Sequence, residues 1–242
     1  MNDNKTSKNS IVAKFAVPIS FLILFFLAAN FTGCDLMTFW KRKSHLTDLV
    51  VDMIPPDFSY IQKILLPLFY TIQMSVTGTV LGTFFALVLS PFGAANLGFP
   101  AVIRRILRIV IQILRSFPAL ILALTATFLF GLGTFAGTFA ITLYTFAIMT
   151  KLTYEDASAA DVKAYQALRA MGVSKYVAYI HGILPEIIPG FLTNALYLLE
   201  TNVRHSSILG YVGAGGIGLL LNEKCSWLEY DKVGAILLML FL

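Results

Sequence analysis

The chain has 242 residues, of which 57% are hydrophobic and only 13% charged, and its mean hydropathy is +0.78. A soluble domain of this length cannot hide so much apolar surface, so a soluble globular fold is excluded and the chain belongs in a bilayer. The formal charge of +5 does not argue for a nucleic-acid partner, because Lys and Arg in the cytoplasmic loops of a polytopic protein produce such a value by themselves.

Reading from the N-terminus, Lys5, Lys8 and Lys14 precede an apolar run that ends at Thr32-Gly33-Cys34. The pattern imitates a signal peptide with a lipid-attachment cysteine. Later hydrophobic segments already make the chain membrane-integral, so Phe15 to Cys34 reads as an uncleaved anchor helix with its basic end in the cytoplasm. Residues 1–63 form this anchor and an external segment, in which Lys41, Arg42, Lys43, Asp48 and Asp52 lead to the turn-forming Pro55-Pro56-Asp57. Residues 64–242 form the core.

A second helix is expected from about Leu65 to Leu89, stopped by Ser90-Pro91-Phe92-Gly93. The following cytoplasmic loop carries Arg104, Arg105 and Arg108, and a third helix starts near there with Arg115 and Pro118 at its inner end. The uncharged run from Ser116 to Thr150 would measure roughly 50 Å as one straight helix, well beyond the ~30 Å hydrocarbon layer. It must fold back, and Gly131-Leu132-Gly133-Thr134 is the natural outer turn. Helix three therefore ends near Phe130, and helix four descends from about Phe135 to Lys151. Residues 153–186 are a long polar cytoplasmic loop, helix five rises from about Ile187 to His205, and a last helix starts near Tyr230. Ten residues after Lys232 are half of what a span needs, so either the chain continues beyond this sequence or that helix is incomplete. The sum is an all-α polytopic protein of about six transmembrane helices. In this topology eleven Lys and Arg lie inside (residues 5, 8, 14, 104, 105, 108, 115, 151, 163, 169 and 175). Six lie outside (41, 42, 43, 63, 204 and 224), which supports a cytoplasmic N-terminus.

The two cysteines, Cys34 and Cys225, have no metal-ligand spacing and are too few for a disulfide framework. A single bridge between them stays open if both lie outside. No metal or cofactor is expected. Ionisable pairs inside the spans form no His-Glu, Ser-Lys or paired-aspartate constellation, which leaves an intramembrane enzyme as a distant alternative.

The polar loop carries the strongest signal. Asp161 can cap a short helix that Gly172 ends, and Ser174 can cap a second that Pro185 closes. Two short helices joined at a glycine would expose Leu168, Met171 and Val173 among Lys163, Arg169 and Lys175, a surface suited to a soluble partner or to rest on the membrane. The loop resembles the EAA loop of ABC importer permeases: Glu-Ala-Ala, three residues, Gly, nine residues, Ile-x-Leu-Pro. Gly172, Leu184 and Pro185 match in register, as does Ala167, whereas Gln166 replaces the Glu, Leu168 the second Ala and Gly182 the Ile. The resemblance implies a type I ABC importer permease fold whose coupling helix, through Gln166, Ala167, Gly172, Leu184 and Pro185, sits on a separate cytosolic ATPase. It also implies a homodimer, an extracytoplasmic substrate-binding protein, and no catalytic residue in this chain. The Gln166 replacement puts any salt bridge made by the family's Glu in doubt.

Helix five contains Glu200, Asn202 and Arg204, with Glu200 and Arg204 spaced i, i+4. Charges at that depth face a cavity or a partner helix. Arg204 can offer a planar fork to a phosphorus oxyanion, or Glu200 can neutralise it and merely fix packing. In the segment after it, Gly213, Gly215 and Gly218 match a dinucleotide fingerprint formally but lack the βαβ setting. Together Glu200-x-Asn202-x-Arg204 and Leu209-Gly210-x-Val212-Gly213-Ala214-Gly215-Gly216-Ile217-Gly218 resemble the phosphonate (PhnE-like) branch. Residues 53–59, 71–74 and 131–137 resemble it too. The implied activity is import of phosphonate, phosphate or phosphite, with methionine or another small solute as the alternative cargo, since methionine-type permeases share the Val-Gly-Ala-Gly-Gly element. Gly213, Gly215 and Gly216 join Glu200, Asn202 and Arg204 as expected pathway residues.

Overall fold

The computed structural model describes residues 3–33 and 36–241, and every regular element among them is helical. The chain divides into two compact units, Met1–Asp52 and Met53–Leu242. The first contains α1 (Asp3–Phe31) and α2 (Leu36–Asp52). The apolar part of α1, Pro18–Phe31, leaves Phe21, Ile23, Leu24 and Phe25 more than half exposed, as a helix bathed in lipid would. In α2, Lys43 sits 4.1 Å from the centre of the Trp40 ring. Cys34 and its possible bridge to Cys225 lie outside the described residues; Cys225 is half-buried and free.

The second unit is built around α3 (Ile61–Gly93) and α6 (Thr134–Ala159). Their contact follows from small residues four apart on α3: Gly78, Gly82, Ala86 and Ser90, all buried. An added Cβ at Gly78 would fall 2.7 Å from Ile141 Cγ2, and one at Gly82 2.7 Å from Thr145 Cβ. Lipid tails are as apolar as leucine, so such close approach, rather than hydrophobic exclusion, holds membrane helices together.

α3 continues through Ser90-Pro91 to Gly93, four residues past the expected stop. Pro91 lies in the last turn, and the Leu87 carbonyl that its missing N–H leaves free accepts the Ser90 hydroxyl at 3.1 Å. The expected third helix is instead two, α4 (Ala101–Ser116) and α5 (Ala119–Phe130), meeting at 93°. Proline lacks an N–H and drives the preceding residue out of the helical region, and Phe117 accordingly adopts φ −86°, ψ 125°. The turn at residues 131–133 then leads into α6 as expected.

After α6 come α7 (Lys163–Ala170), α8 (Lys175–Gly182), α9 (Leu184–Leu209), α10 (Ile217–Ser226) and α11 (Tyr230–Phe241). The expected count of about six spans is not confirmed among the described residues. Two unbroken helices, Phe58–Gly93 and Thr134–Ala159, are long and apolar enough to cross a membrane, or up to four spans if each bent pair counts as one. Pro118 separates α4 from α5, and α10, with 10 residues, is too short to cross alone.

Candidate functional site

The 153–186 loop is a helical platform. α6 runs to Ala159, two turns past the expected end at Lys151, and Lys151 pairs with Glu155 at 3.4 Å. The Asp161 carboxylate accepts the Lys163 N–H at 3.0 Å. That bond and the Lys163 ammonium hold its carboxyl below the usual aspartate range. Gly172 closes α7 with φ +85°. Its N–H donates to the Arg169 carbonyl at 3.1 Å, while the Val173 N–H reaches the Leu168 carbonyl at 3.2 Å. No atom lies within 4 Å of a Cβ placed there, so the backbone angle, not crowding, demands glycine. The Ser174 hydroxyl accepts the Val177 N–H at 3.5 Å, capping α8 as expected.

Pro185 does not close α8. Gly182 does, and Pro185 occupies the first turn of α9, where a missing N–H costs nothing. The structure also explains why glycine stands where the family pattern has Ile. A Cβ at Gly182 would meet the Tyr165 N at 2.8 Å and its Cα at 2.9 Å. Gly182→Val is therefore expected to push α7 off α8, costing about 1–3 kcal/mol by overpacking and lowering the melting temperature of the purified protein.

The underside of the platform is fastened to the end of α3. The Tyr165 hydroxyl donates to the Leu97 carbonyl at 2.7 Å, Tyr179 and Ser90 share a hydroxyl hydrogen bond of 3.2 Å, and the Lys175 ammonium donates to the Gly98 carbonyl. Ala178 and Ile183 are fully buried there, with Leu168 and Val173 half-buried beside them. The other side is open: Gln166, Ala167, Gly172 and Pro185 are exposed, Leu184 is half-buried, and Met171 is 71% exposed.

α9 divides by its helical period. Ile187, Phe191, Leu198, Asn202 and Ser206 are buried. Glu186, Gly190, Thr193, Tyr197, Glu200 and Arg204, spaced by threes and fours on the opposite side, are all exposed. Glu200 and Arg204 form an ion pair on this open polar stripe. Asn202, two residues from each, falls on the buried side, because two residues advance a helix by roughly 200°. Its amide N–H groups donate to Thr79 Oγ1 and Thr145 Oγ1, both at 2.8 Å, and Ser75 and Ser206 share a 2.7 Å hydrogen bond nearby. These polar bonds join α3, α6 and α9 inside an apolar bundle.

The glycine segment links α9 to α10. Gly213, Gly215 and Gly216 have φ between +73° and +81°. The Gly133 N–H donates to the Gly213 carbonyl at 3.0 Å, and the Ile217 N–H donates to Thr71 Oγ1 at 2.7 Å. The segment is thus a close-packed buckle against the 131–134 turn and α3, preceded by a helix rather than a strand. Sequence reasoning singled out residues 71–74 but gave Thr71 no partner in the glycine segment, and it passed over the crossing of Gly210 with Gly218, where a Cβ on Gly210 would lie 2.2 Å from the Gly218 carbonyl carbon. The run of glycines was the available signal, but nothing local says which two touch. At the same end of the unit, Lys224 bonds Glu223 and Glu229 at 3.0 Å each and Lys232 bonds Glu229 at 2.7 Å. Hydrogen bonds from Lys232 and Lys224 hold Glu229 below the usual carboxylate range.

A helical bundle with an open polar stripe along one long helix, and a helical platform fastened to one end, fits a membrane transport subunit, the class that the family match gives. The chain belongs to the family of binding-protein-dependent transport system inner membrane components, whose model matches residues 78–242, and it is a permease subunit of an ABC transporter. It is 32% identical over 215 residues to the phosphite transport system permease protein PtxC of Stutzerimonas stutzeri, covering 88% of this chain and 78% of that one. It is 31% identical over 190 residues to the phosphate-import permease protein PhnE of Mycolicibacterium smegmatis, covering 78% of this chain but only 36% of that relative. Among solved structures, the inward-facing MetNI methionine ABC transporter superposes with a TM-score of 0.67 at 21% identity, over 76% of this chain and 91% of that chain. This likeness shows the shared fold, that of a type I ABC importer permease.

Proposed function

We propose that this permease imports a phosphorus oxyanion, phosphite, phosphonate or phosphate, through a pathway between two copies of the chain. The cargo reading rests on the similarity to permeases named for phosphite and phosphate. The pathway reading rests on the exposed stripe of α9, a polar surface too costly to leave against lipid. Arg204 offers parallel N–H donors to two oxygens of the cargo. Glu200, one turn earlier, keeps the charge paired when no cargo is present, so a passing anion exchanges partners with it rather than meeting a bare buried charge. Asn202 acts from behind the stripe as the joint that holds α9 to α3 and α6. Gly213, Gly215 and Gly216 let the outer end of α9 bend tightly over the bundle.

In this reading a cytosolic ATPase grips the open side of the platform through Gln166, Ala167, Gly172, Leu184 and Pro185. Closure of the nucleotide sites moves α9 through that rigid contact. A substrate-binding protein delivers cargo at the opposite end. The basic N-terminus is cytoplasmic, with residues 1–63 as anchor and external segment and 64–242 as the permease core.

Reconstitution with the cognate ATPase and binding protein in proteoliposomes tests the cargo. Phosphite uptake is expected to be competed by methylphosphonate or phosphate and unaffected by methionine. Stimulation of ATP hydrolysis by methionine, and by none of the phosphorus oxyanions, would refute the assignment.

A further inference from the structure

A second basic feature lies apart from the α9 stripe. α4 carries Arg104, Arg105, Arg108 and Arg115 and no acidic residue. Three of these arginines, with Ala101, Ile109 and Gln112, line a recess of about 210 Å³. Arg108 is fixed by donating to the Gly93 carbonyl at 3.0 Å and by stacking 5.0 Å from the Tyr154 ring centre. Arg104 reaches the Ala95 carbonyl at 3.5 Å. Arg105 is exposed and has no hydrogen-bond or ion-pair partner among the described residues. Beside the recess on the same helix run Val102, Ile106 and Ile113, each more than half exposed.

We infer that this recess binds the phosphate headgroup of an anionic phospholipid, with the neighbouring ridge of Val102, Ile106 and Ile113 taking its acyl chain. Three observations select this occupant. The helix offers only positive charge, so a zwitterionic headgroup would leave its arginines uncompensated. The apolar ridge adjoins the arginines, which suits a ligand that is anionic at one end and hydrocarbon at the other; a free oxyanion has no use for the ridge. Finally, α4 is bent 93° from α5 and tied to the 93–98 turn that also carries the platform, which, in the orientation proposed above and resting on that reading, holds it at the membrane surface on the ATPase-facing side. Anionic lipids attract basic segments most strongly in that leaflet. A lipid bound there braces the platform, since Arg108 and Lys175 hold the same turn.

Native mass spectrometry of the intact permease–ATPase complex, titrated with phosphatidylglycerol or phosphatidylcholine, tests the site. Wild type is expected to retain phosphatidylglycerol preferentially. Arg105→Gln, which removes no hydrogen bond or ion pair among the described residues, is expected to weaken that retention on the order of fivefold and leave phosphatidylcholine unchanged; Arg105→Glu is expected to weaken it further. Equal phosphatidylglycerol retention by wild type and both variants overturns the inference. So does displacement of the lipid by millimolar phosphite or inorganic phosphate, which would make the recess a free-anion site. Neither result bears on which cargo the proteoliposome assay identifies.

Discussion

Gly172→Val is expected to leave the protein inserted in the membrane yet separate ATP hydrolysis from uptake. Gly172 holds φ +85°, a left-handed conformation that costs an L-residue about 1–2 kcal/mol, and a β-branched side chain resists it most. The Gly172 N–H to Arg169 and Val173 N–H to Leu168 bonds that turn the chain between α7 and α8 would give way. Gln166 and Ala167 would then lose their fixed position on the open side of the platform. The platform's underside is fastened independently by Tyr165 and Tyr179, so the lesion stays local. In reconstituted vesicles, uptake per ATP hydrolysed is expected to fall on the order of tenfold, the effect of that strain on the population of the correct turn. Gly172→Asn, which tolerates the left-handed region, is expected to retain most coupling. Normal coupling in the valine variant would show that the turn is not the mechanical link.

Arg204→Gln is the second large effect. Charge-assisted hydrogen bonds are worth about 1.5–3 kcal/mol, so losing the guanidinium fork is expected to reduce oxyanion uptake roughly tenfold to a hundredfold. Arg204→Lys is expected to rescue little, because an ammonium cannot present two parallel donors. Glu200→Gln removes the partner that Arg204 holds in the empty helix. It is expected to tighten apparent cargo affinity while slowing turnover, since the anion then leaves an unpaired cation behind. Uptake kinetics over a range of phosphite concentrations separate the two parameters. A wild-type uptake curve for Arg204→Gln, accompanied only by a shift in melting temperature, would assign the pair to helix packing instead.

Local chemistry accounts for what was legible in advance. The turn at residues 131–134, the ends of the two platform helices at Gly172 and Ser174, and the start of the last helix at Tyr230 all lie where expected. Each depends on signals within a few residues: glycines able to take positive φ, a capping hydroxyl, or a change in apolar run length. The same rules misplaced Ser90-Pro91 and Pro185. At Pro91 the stranded Leu87 carbonyl is satisfied by the Ser90 hydroxyl, and at Pro185 the first turn of α9 needs no N–H, so neither proline stops a helix where the sequence pattern placed the stop. Pro118 was noted at the inner end of helix three, but whether it bends a span by 93° depends on what the two halves pack against.

The amino-acid sequence alone determined that this chain lives in a bilayer, that it presents a helical platform with EAA-type spacing, and that one helix carries an ionised pair. These are matters of composition and of spacing along a chain of fixed period. Only the tertiary structure decided that Asn202 turns inward to Thr79 and Thr145 while its neighbours Glu200 and Arg204 face outward. Only there, too, does Gly182 yield to the backbone of Tyr165, and do three arginines gather in one recess on α4. Such choices depend on which distant residues arrive to share a face. Close packing between helices sets them, and its contacts join residues more than a hundred positions apart.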